Sequence, residues 1–246
     1  MENELEKRLL ELANRADCKY IYTETQFLTE GEQATLASLF PAGSYRLEGG
    51  HGEAERCIAV FGSEEDFGYP WESTLAVLRI APKDMKFADE LCHRDFLGAL
   101  LNLGIKRELL GDILISENVG YLVALESIAP YLEENLTRVR HTSVRTTRIP
   151  AMPQGVERLL EERVVVAASA RLDALIGAVW NLSRSEAKEL VEKERVSIRG
   201  KLISDPAFSV KEGDRVSVRG YGRFYFDGAT GETRSGRCRM KIRLFV

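Results

Sequence analysis

Apolar positions near the start of the chain recur at helical spacing. Four leucines share one predicted helical face, namely Leu5, Leu9, Leu10 and Leu12. A second helix is predicted after Thr29, because Glu32 completes a capping box three residues later. Pro41 ends that helix, and short strand-like runs follow at Tyr45–Leu47 and Cys57–Phe61. The pattern therefore predicts a small N-terminal α/β domain over residues 1–72.

Between residues 73 and 150 the apolar period switches repeatedly between two and about 3.6 residues. A turn at Asn118 joins two central strands, and Gly104 suits the end of a helix. In chain order the pattern predicts strand, helix, strand, strand, helix and strand, at Thr74–Ala81, Phe96–Leu103, Ile113–Ile115, Tyr121–Leu125, Ile128–Leu136 and Thr142–Ile149. This order is the split βαβ plan of ferredoxin-like and RRM-like domains.

The last third of the chain predicts two short helices followed by a hairpin. Arg171-Leu172-Asp173 opens the first helix, and Ser183 caps the second, with Glu186 completing a capping box. A strand at Val196–Ile198 turns back at Arg199-Gly200-Lys201. Prolines and glycines before this region indicate a linker over 151–169. The predicted fold class is thus α+β, with three small domains in series: 1–72, the RRM-like domain 73–150, and 170–246.

Charge is distributed unevenly along the chain. The whole sequence carries a net charge of −4, but residues 170–246 hold 16 basic and 10 acidic side chains, a net of +6. The preceding residues hold 18 basic and 28 acidic side chains, a net of −10. A basic module attached to acidic neighbours is typical of a protein that binds a polyanion locally. Charge asymmetry alone is equally consistent with a surface whose charges serve only solvation.

Other features restrict the cellular setting. The acidic, amphipathic start has no basic segment followed by an apolar one, so no secretory signal is predicted. The longest apolar run, Val164–Ala168, is far too short to cross a bilayer. Four cysteines lie far apart without a C-x-x-C pair, which argues against a disulfide framework or zinc site. We therefore expect a cytoplasmic protein.

The candidate contacts with RNA phosphates are basic side chains of the C-terminal module. Arg184 and Lys188 lie four residues apart, so both project from one helical face beside the basic hairpin. Lys106 and Arg107 follow a helix end, where they suit either the helix dipole or RNA. The full set of predicted RNA contacts is Arg171, Arg184, Lys188, Arg195, Arg199, Lys201, Arg219, Arg223, Lys106 and Arg107.

Enzymatic alternatives rest on isolated residues. Arg171-Leu172-Asp173 copies part of the G-R-L-D run of pseudouridine synthases, but Asp173 at a helix start suggests a structural role. Cys92 lacks an orienting group for a nucleophile, and the histidines His51, His93 and His141 lack metal-ligand spacing. The Gly49–Gly52 loop could hold a phosphate or form a tight turn. We predict no catalytic residue, no metal and no cofactor.

Several motifs in order carry a family resemblance. In the last third, R-L-D-x-x-L, S-R-S-x-A-x-x-L-V, V-S-I-R-G-K and V-K-E-G-D-R-V-S-V-R-G-Y-G-R resemble the RNA-binding domain of ribosomal small-subunit protein four. Upstream, the runs Gly49–Arg56, His93–Gly98, Gly104–Arg107 and Gly111–Ile113 resemble the YlmH family. One departure is that Glu194 and Arg195 occupy a helix end where the family usually has Gly.

The resemblance implies a non-enzymatic protein of ribosome-associated quality control. Its expected partners are ribosomal RNA and tRNA on a large ribosomal subunit that carries peptidyl-tRNA, and the free protein is expected to be monomeric. The alternatives are a pseudouridine-synthase-like RNA-modifying enzyme and a protein-interaction adaptor.

Overall fold

The computed structural model describes residues 2–156, 158, 160–233 and 236–245. The chain divides into two compact units, Met1–Glu157 and Arg158–Val246. Within the described residues, none of the helices has the length and apolar character needed to cross a membrane. Each unit contains both helices and strands, as the α+β prediction requires.

The first part of unit 1 is a three-stranded antiparallel sheet with helices around it. Its elements are α1 (Glu2–Lys19), β1 (Thr23–Glu24), α2 (Glu30–Leu39), β2 (Tyr45–Glu48), β3 (Ile58–Phe61) and α3 (Glu64–Phe67), and the strand order is β1-β3-β2. The predicted capping box at the start of α2 is confirmed, because the backbone N–H of Thr29 donates to the Glu32 carboxylate at 2.6 Å.

The second part of unit 1 has the predicted RRM-like plan. Its elements are β4 (Leu75–Pro82), α4 (His93–Asn102), β5 (Leu110–Ser116), β6 (Val119–Leu125), α5 (Ala129–Asn135), β7 (Arg138–Val139) and β8 (Thr142–Ile149). The strand order is β5-β6-β4-β8-β7. Phe96 and Leu100 of α4 and Leu132 of α5 are fully buried against one face of this sheet.

The opposite face of the RRM-like sheet is partly covered by the N-terminal sheet. Phe27, Ile58 and Val60 form a buried cluster with Val123 of β6. Half-buried side chains of both parts, including Trp71 and Leu125, pack around this cluster. Residues on either side of the boundary predicted at 72/73 therefore share a hydrophobic core and belong to one compact unit.

The Gly49–Gly52 loop packs against this shared core. A Cβ placed on Gly50, which has φ +78°, would lie 2.8 Å from Cγ1 of Val123. His51 Nε2 lies 3.2 Å from Asp112 Oδ2, and the same carboxylate oxygen accepts a hydrogen bond from the Glu55 N–H at 2.7 Å. The loop thus fastens the N-terminal part to β5, which fits the tight-turn interpretation.

Unit 2 packs two helices against a six-stranded antiparallel sheet. Its elements are β9 (Leu160–Ala167), α6 (Leu172–Trp180), α7 (Arg184–Glu192), β10 (Val196–Ile198), β11 (Lys201–Leu202), β12 (Arg215–Val218), β13 (Gly222–Glu232) and β14 (Cys238–Phe245), in the order β11-β10-β12-β13-β14-β9. Leu172, Ile176 and Val191 of the helices are fully buried with Val216 and Phe224 of the sheet.

Residues 160–167 lie within the predicted linker but form β9, which pairs along its whole length with β14. The linker prediction is therefore wrong for this segment. The physical reason is that β9 is an edge strand with little buried surface. Glu161, Glu162, Arg163 and Val164 are all exposed, so the polar and apolar residues of the strand do not alternate as they would above a core.

We predict that Gly50→Ala destabilises unit 1 by about 2 kcal/mol, since it combines a left-handed backbone with overlap against Val123. Gly52→Ala is the matched control, because a Cβ at Gly52 meets nothing within 4 Å. Urea unfolding of both variants measures the effect. Equal stability of the two variants would contradict the close packing of this loop.

Candidate nucleic-acid interface

The two helices of unit 2 present basic residues because of how their connection is built. Helix α6 ends at Asn181, whose φ of +54° is left-handed, and Ser183 then caps α7. The predicted capping box is confirmed. The Ser183 N–H donates to the Glu186 carboxylate at 2.8 Å, and the Glu186 N–H donates to the Ser183 hydroxyl at 3.2 Å. Arg184 is consequently the first residue of α7.

The carboxylate of Asp173 brings two of the predicted contacts together. It is 2% exposed and accepts two hydrogen bonds from Arg171, Nε to Oδ1 at 3.0 Å and Nη2 to Oδ2 at 2.8 Å. Arg184 Nε lies 3.5 Å from Oδ2, and the Ala174 N–H donates to Oδ1 at 2.8 Å. A buried carboxylate with these donors orients two guanidinium groups, while the side chains of Arg171 and Arg184 remain 39% and 76% exposed.

The hydrogen bond from Arg171 is the largest influence on Asp173 and lowers the pKa of its carboxyl. Burial opposes this effect, while the charges of Arg171 and Arg184 and the backbone N–H of Ala174 reinforce it. Asp173 is therefore held ionised as a structural anion. This arrangement agrees with the structural role that its position at a helix start predicts.

The hairpin contributes a second pair of predicted contacts. Arg199 and Gly200 have φ values of +47° and +76° and form the tight turn between β10 and β11. Arg199 Nε lies 2.9 Å from Asp214 Oδ1, while 63% of the arginine side chain is exposed. Lys201 follows the turn and is also exposed. An aspartate again holds an exposed arginine in one orientation.

Arg195 and Arg219 are joined by one backbone–backbone and one side-chain–backbone hydrogen bond. The Arg219 N–H donates to the Arg195 carbonyl at 2.8 Å, and Arg195 Nη2 donates to the Arg219 carbonyl at 2.9 Å. Arg223 stacks over the Phe245 ring, with 4.4 Å from Cζ to the ring centroid. Lys188 is exposed on α7 and lies 3.3 Å from Glu192.

Tyr221 was not among the predicted contacts, although the structure places it beside them. Its ring is 43% exposed and lies 5.8 Å from the ring of Trp180, centroid to centroid. It lies in the Gly220–Gly222 turn, between Arg219 and Arg223 in sequence. An exposed aromatic flanked by arginines can stack on an unpaired base. The run R-G-Y-G-R was the available signal.

Of the two predicted contacts in unit 1, Arg107 has a structural role. Its Nη1 donates to the carbonyls of Leu110 at 2.5 Å and Gly111 at 3.0 Å. Burial, followed by the positive charge of Arg56, lowers the pKa of Arg107 to about 10. Lys106 is 76% exposed and lies 4.0 Å from Glu108. Lys106 is therefore the member of this pair that remains accessible to a ligand.

The residues proposed for enzymatic chemistry do not converge. His51 is engaged with Asp112, and the exposed Cys92 lies at the start of α4. Burial raises the pKa of the Cys57 thiol to about 11, which disfavours a thiolate. Across the part of the chain that the structure describes, no group of three or more His, Cys, Asp or Glu side chains could hold a metal ion.

Comparisons with known proteins match both halves of this architecture. Residues 71–152 match a family model described as "Putative RNA-binding domain in YlmH", and residues 171–216 match the S4 domain. The chain is 30% identical over 222 residues to "Ribosome-associated protein quality control protein P2" of Bacillus subtilis, covering 88% of this chain and 84% of that protein.

Two further similarities are weaker, one because it covers a short part of the chain and the other because its sequence identity is low. An "Uncharacterized RNA pseudouridine synthase" of Aquifex aeolicus is 42% identical over 50 residues, 20% of this chain and 21% of that protein. The solved structure "Cell division protein ylmH from Streptococcus pneumoniae" has a TM-score of 0.48 and 17% identity, covering 61% of this chain and 91% of that one.

We predict that Asp173→Asn lowers the free energy of unfolding by about 1–2 kcal/mol at neutral pH, because charge-assisted hydrogen bonds are weakened. The lowered pKa means that the unfolded chain takes up the proton first as the pH falls. The stabilisation is therefore present above about pH 4, the ordinary pKa of aspartate, and is lost as the pH falls through the lowered pKa.

Thermal unfolding between pH 3 and pH 7 checks this prediction. The difference in Tm between parent and variant should shrink at the acid end. A difference that is constant over this range would contradict the ionised, arginine-bound state of Asp173.

We predict that Glu194→Gly stabilises unit 2 by about 1 kcal/mol. Glu194 has φ +54° at the end of α7, where its N–H donates to Val191 and the Arg195 N–H donates to Leu190. Glycine adopts this conformation without the cost that a Cβ imposes. Glu192→Gly, inside the last helical turn, should destabilise instead. Chemical denaturation compares the two, and destabilisation by Glu194→Gly would contradict the prediction.

Proposed function

The chain belongs to the YlmH family, and from this membership we propose that it is a non-enzymatic protein that binds ribosomal RNA and tRNA on the large ribosomal subunit during quality control of stalled translation. The proposal places the protein in the cytoplasm, where its partner is found. It also takes the free protein to be monomeric, binding as a single copy to a subunit that carries peptidyl-tRNA.

The observation that carries the proposal is the pair of guanidinium groups organised by Asp173. Phosphate recognition is favoured by cations that are held in position yet keep N–H groups for the ligand. Arg171 and Arg184 meet this requirement, since their side chains are 39% and 76% exposed while both approach the same buried carboxylate. Arg199 repeats the arrangement with Asp214. Fixed cations of this kind suit the backbone of folded RNA.

The ribosomal setting is supported by the relative from Bacillus subtilis, whose name describes ribosome-associated quality control. Similarity along 88% of this chain includes both RNA-binding regions. The net charge of −10 over the first 169 residues opposes indiscriminate binding to RNA. Specificity for a subunit with tRNA would then come from several surfaces used together.

The RNA-modifying alternative has less support. The similarity to the pseudouridine synthase spans a fifth of each chain, and the aspartate that suggested this chemistry is 2% exposed and engaged by two arginines. A catalytic aspartate must reach the base that it attacks. Asp173 has instead the surroundings of a residue that positions arginines.

We predict that the double variant Arg184→Ala/Lys188→Ala loses comigration with large ribosomal subunits in sucrose gradients at moderate salt. Each phosphate contact removed should also reduce the slope of log affinity against log salt by roughly 0.7–0.9. The two residues lie one turn apart on α7, so the change tests one face.

The matched control is Arg163→Ala/Lys241→Ala, which removes the same charge from β9 and β14. These side chains pair with Glu161 and Glu162 of the edge strand β9. The control should sediment like the parent. Unchanged sedimentation of the Arg184/Lys188 variant would contradict the proposed face, and a parent protein that stays at the top of the gradient would contradict the ribosomal function.

A further inference from the structure

Unit 1 contains a cavity on the helical side of its RRM-like domain. The cavity has a volume of about 470 Å³ and lies between α4 and the segment that joins α5 to β7. Its floor includes Gly98, Ala99, Leu103 and Leu136. Cavities of a few hundred Å³ with apolar floors and a few polar groups are typical of sites for small molecules or single nucleotides.

Three arginines line the cavity, namely Arg94, Arg138 and Arg140. One acid, Asp95, lines it with them, so the rim carries a positive charge within a strongly acidic part of the chain. All three arginines are exposed to solvent. Three guanidinium groups around one opening favour a ligand with a phosphate group.

Asp95 holds one of the three arginines in place. Its Oδ2 accepts the Cys92 N–H at 2.9 Å, and that backbone hydrogen bond is the largest cause of the lowered pKa of Asp95. Arg140 Nε lies 3.7 Å from Oδ1 of the same residue. The guanidinium groups of Arg94 and Arg138, in contrast, form no hydrogen bond or ion pair with any described residue. Two cations are thus available beside one that is held in place.

The remaining lining residues suit the other parts of a nucleotide. Asn102 and Asn135 place amide groups at the edge of the cavity, where they can pair with a base or a ribose hydroxyl. Gly98 lies in the middle of α4, and a Cβ added there would meet nothing within 4 Å. Because a glycine inside a helix costs about 0.5–1 kcal/mol, its presence keeps open a space that another side chain would fill.

The covered sheet strengthens this assignment. RRM domains stack RNA bases on their open sheet face, but here Phe27, Ile58 and Val60 pack against Val123 of the central strand β6. The part of the sheet face beneath these residues is therefore closed to RNA bases, which favours a second contact on another surface. The arginine-lined cavity lies on the opposite, helical face.

We propose that the cavity lined by Arg94, Arg138 and Arg140 binds one nucleotide of single-stranded RNA, with its phosphate at the arginines and its base or ribose against Gly98, Ala99 and Leu136. This second contact rests on the proposed RNA-binding function and adds a site in unit 1. It lets the acidic unit bind RNA at one point while its other surfaces repel the backbone.

The test fills the cavity without changing charge. The full chain is titrated with fluorescein-labelled decauridylate, a single-stranded RNA, in the Arg184→Ala/Lys188→Ala background so that the contribution of unit 1 is visible. Gly98→Gln should weaken the binding of decauridylate about tenfold. A nucleotide that is excluded from the filled cavity loses its charge-assisted hydrogen bonds to the arginines. Gly98→Ala, which adds only a methyl group, should have an affinity for decauridylate closer to that of the Arg184→Ala/Lys188→Ala background protein. Thermal unfolding of both variants checks that α4 is intact.

A second pair of variants tests the charges. Arg94→Ala/Arg138→Ala should reduce the salt slope for decauridylate by roughly 0.7, the value for one phosphate contact on a single strand. Arg145→Ala is the control, because Arg145 is exposed on β8 and does not line the cavity. It should change affinity much less.

The nucleotide site would be overturned if folded Gly98→Gln bound decauridylate with unchanged affinity. It would also be overturned if the background protein did not bind decauridylate at all. Sedimentation of the parent protein reports separately on the proposed function. Uridine monophosphate is tested alongside. If it binds as tightly as decauridylate, the cavity is a site for free nucleotides and the assignment to RNA is overturned. If the parent protein does not comigrate with ribosomal subunits, that result instead contradicts the proposed function.

Discussion

The face of unit 2 that we propose to bind RNA depends on one buried carboxylate. Asp173 lies at the start of α6, yet it reaches Arg171 before the helix and Arg184 at the start of the next one. The capping box at Ser183 sets where α7 begins and so brings Arg184 within 3.5 Å of that carboxylate. A single anion thereby couples the packing of two helices to the orientation of two cations. Arginines without such an anchor would lose side-chain entropy on binding and hold a phosphate less well.

Local chemistry explains which parts of the structure the sequence could predict. The two capping boxes at Thr29 and Ser183 depend on residues three positions apart, and both are present. The RRM-like order follows from alternation over a buried core, and the observed sheet agrees with it. The helix pair and the tight turn at Arg199 and Gly200 likewise depend on neighbouring residues. In each case the residues that determine the structure are close together in the sequence.

Features that depend on distant residues were not predicted. The pairing of β9 with β14 joins residues that are 71 to 85 positions apart. The polar, exposed sequence of β9 gives no sign of this pairing. Arg107 was a candidate contact because of its charge, but it is partly buried beside Arg56, which lies 51 residues earlier in the chain. Arg94, Arg138 and Arg140 come from two elements that meet only in the folded domain. Charge and periodicity cannot reveal such convergence.

The pairing of β9 with β14 also has a consequence for how unit 2 forms during synthesis. Strand β9 is made before α6 and α7, while β14 is made after every other element of that sheet. The helix pair and the first hairpin can pack early because their contacts are local. Strand β9 can pair only after β14 has been made, and this pairing closes a long loop. Until then its exposed Val164 and Val166 lie on an unpaired edge, which is a hazard for association with other chains. The charged, exposed residues Glu161, Glu162 and Arg163 on the same strand disfavour such association.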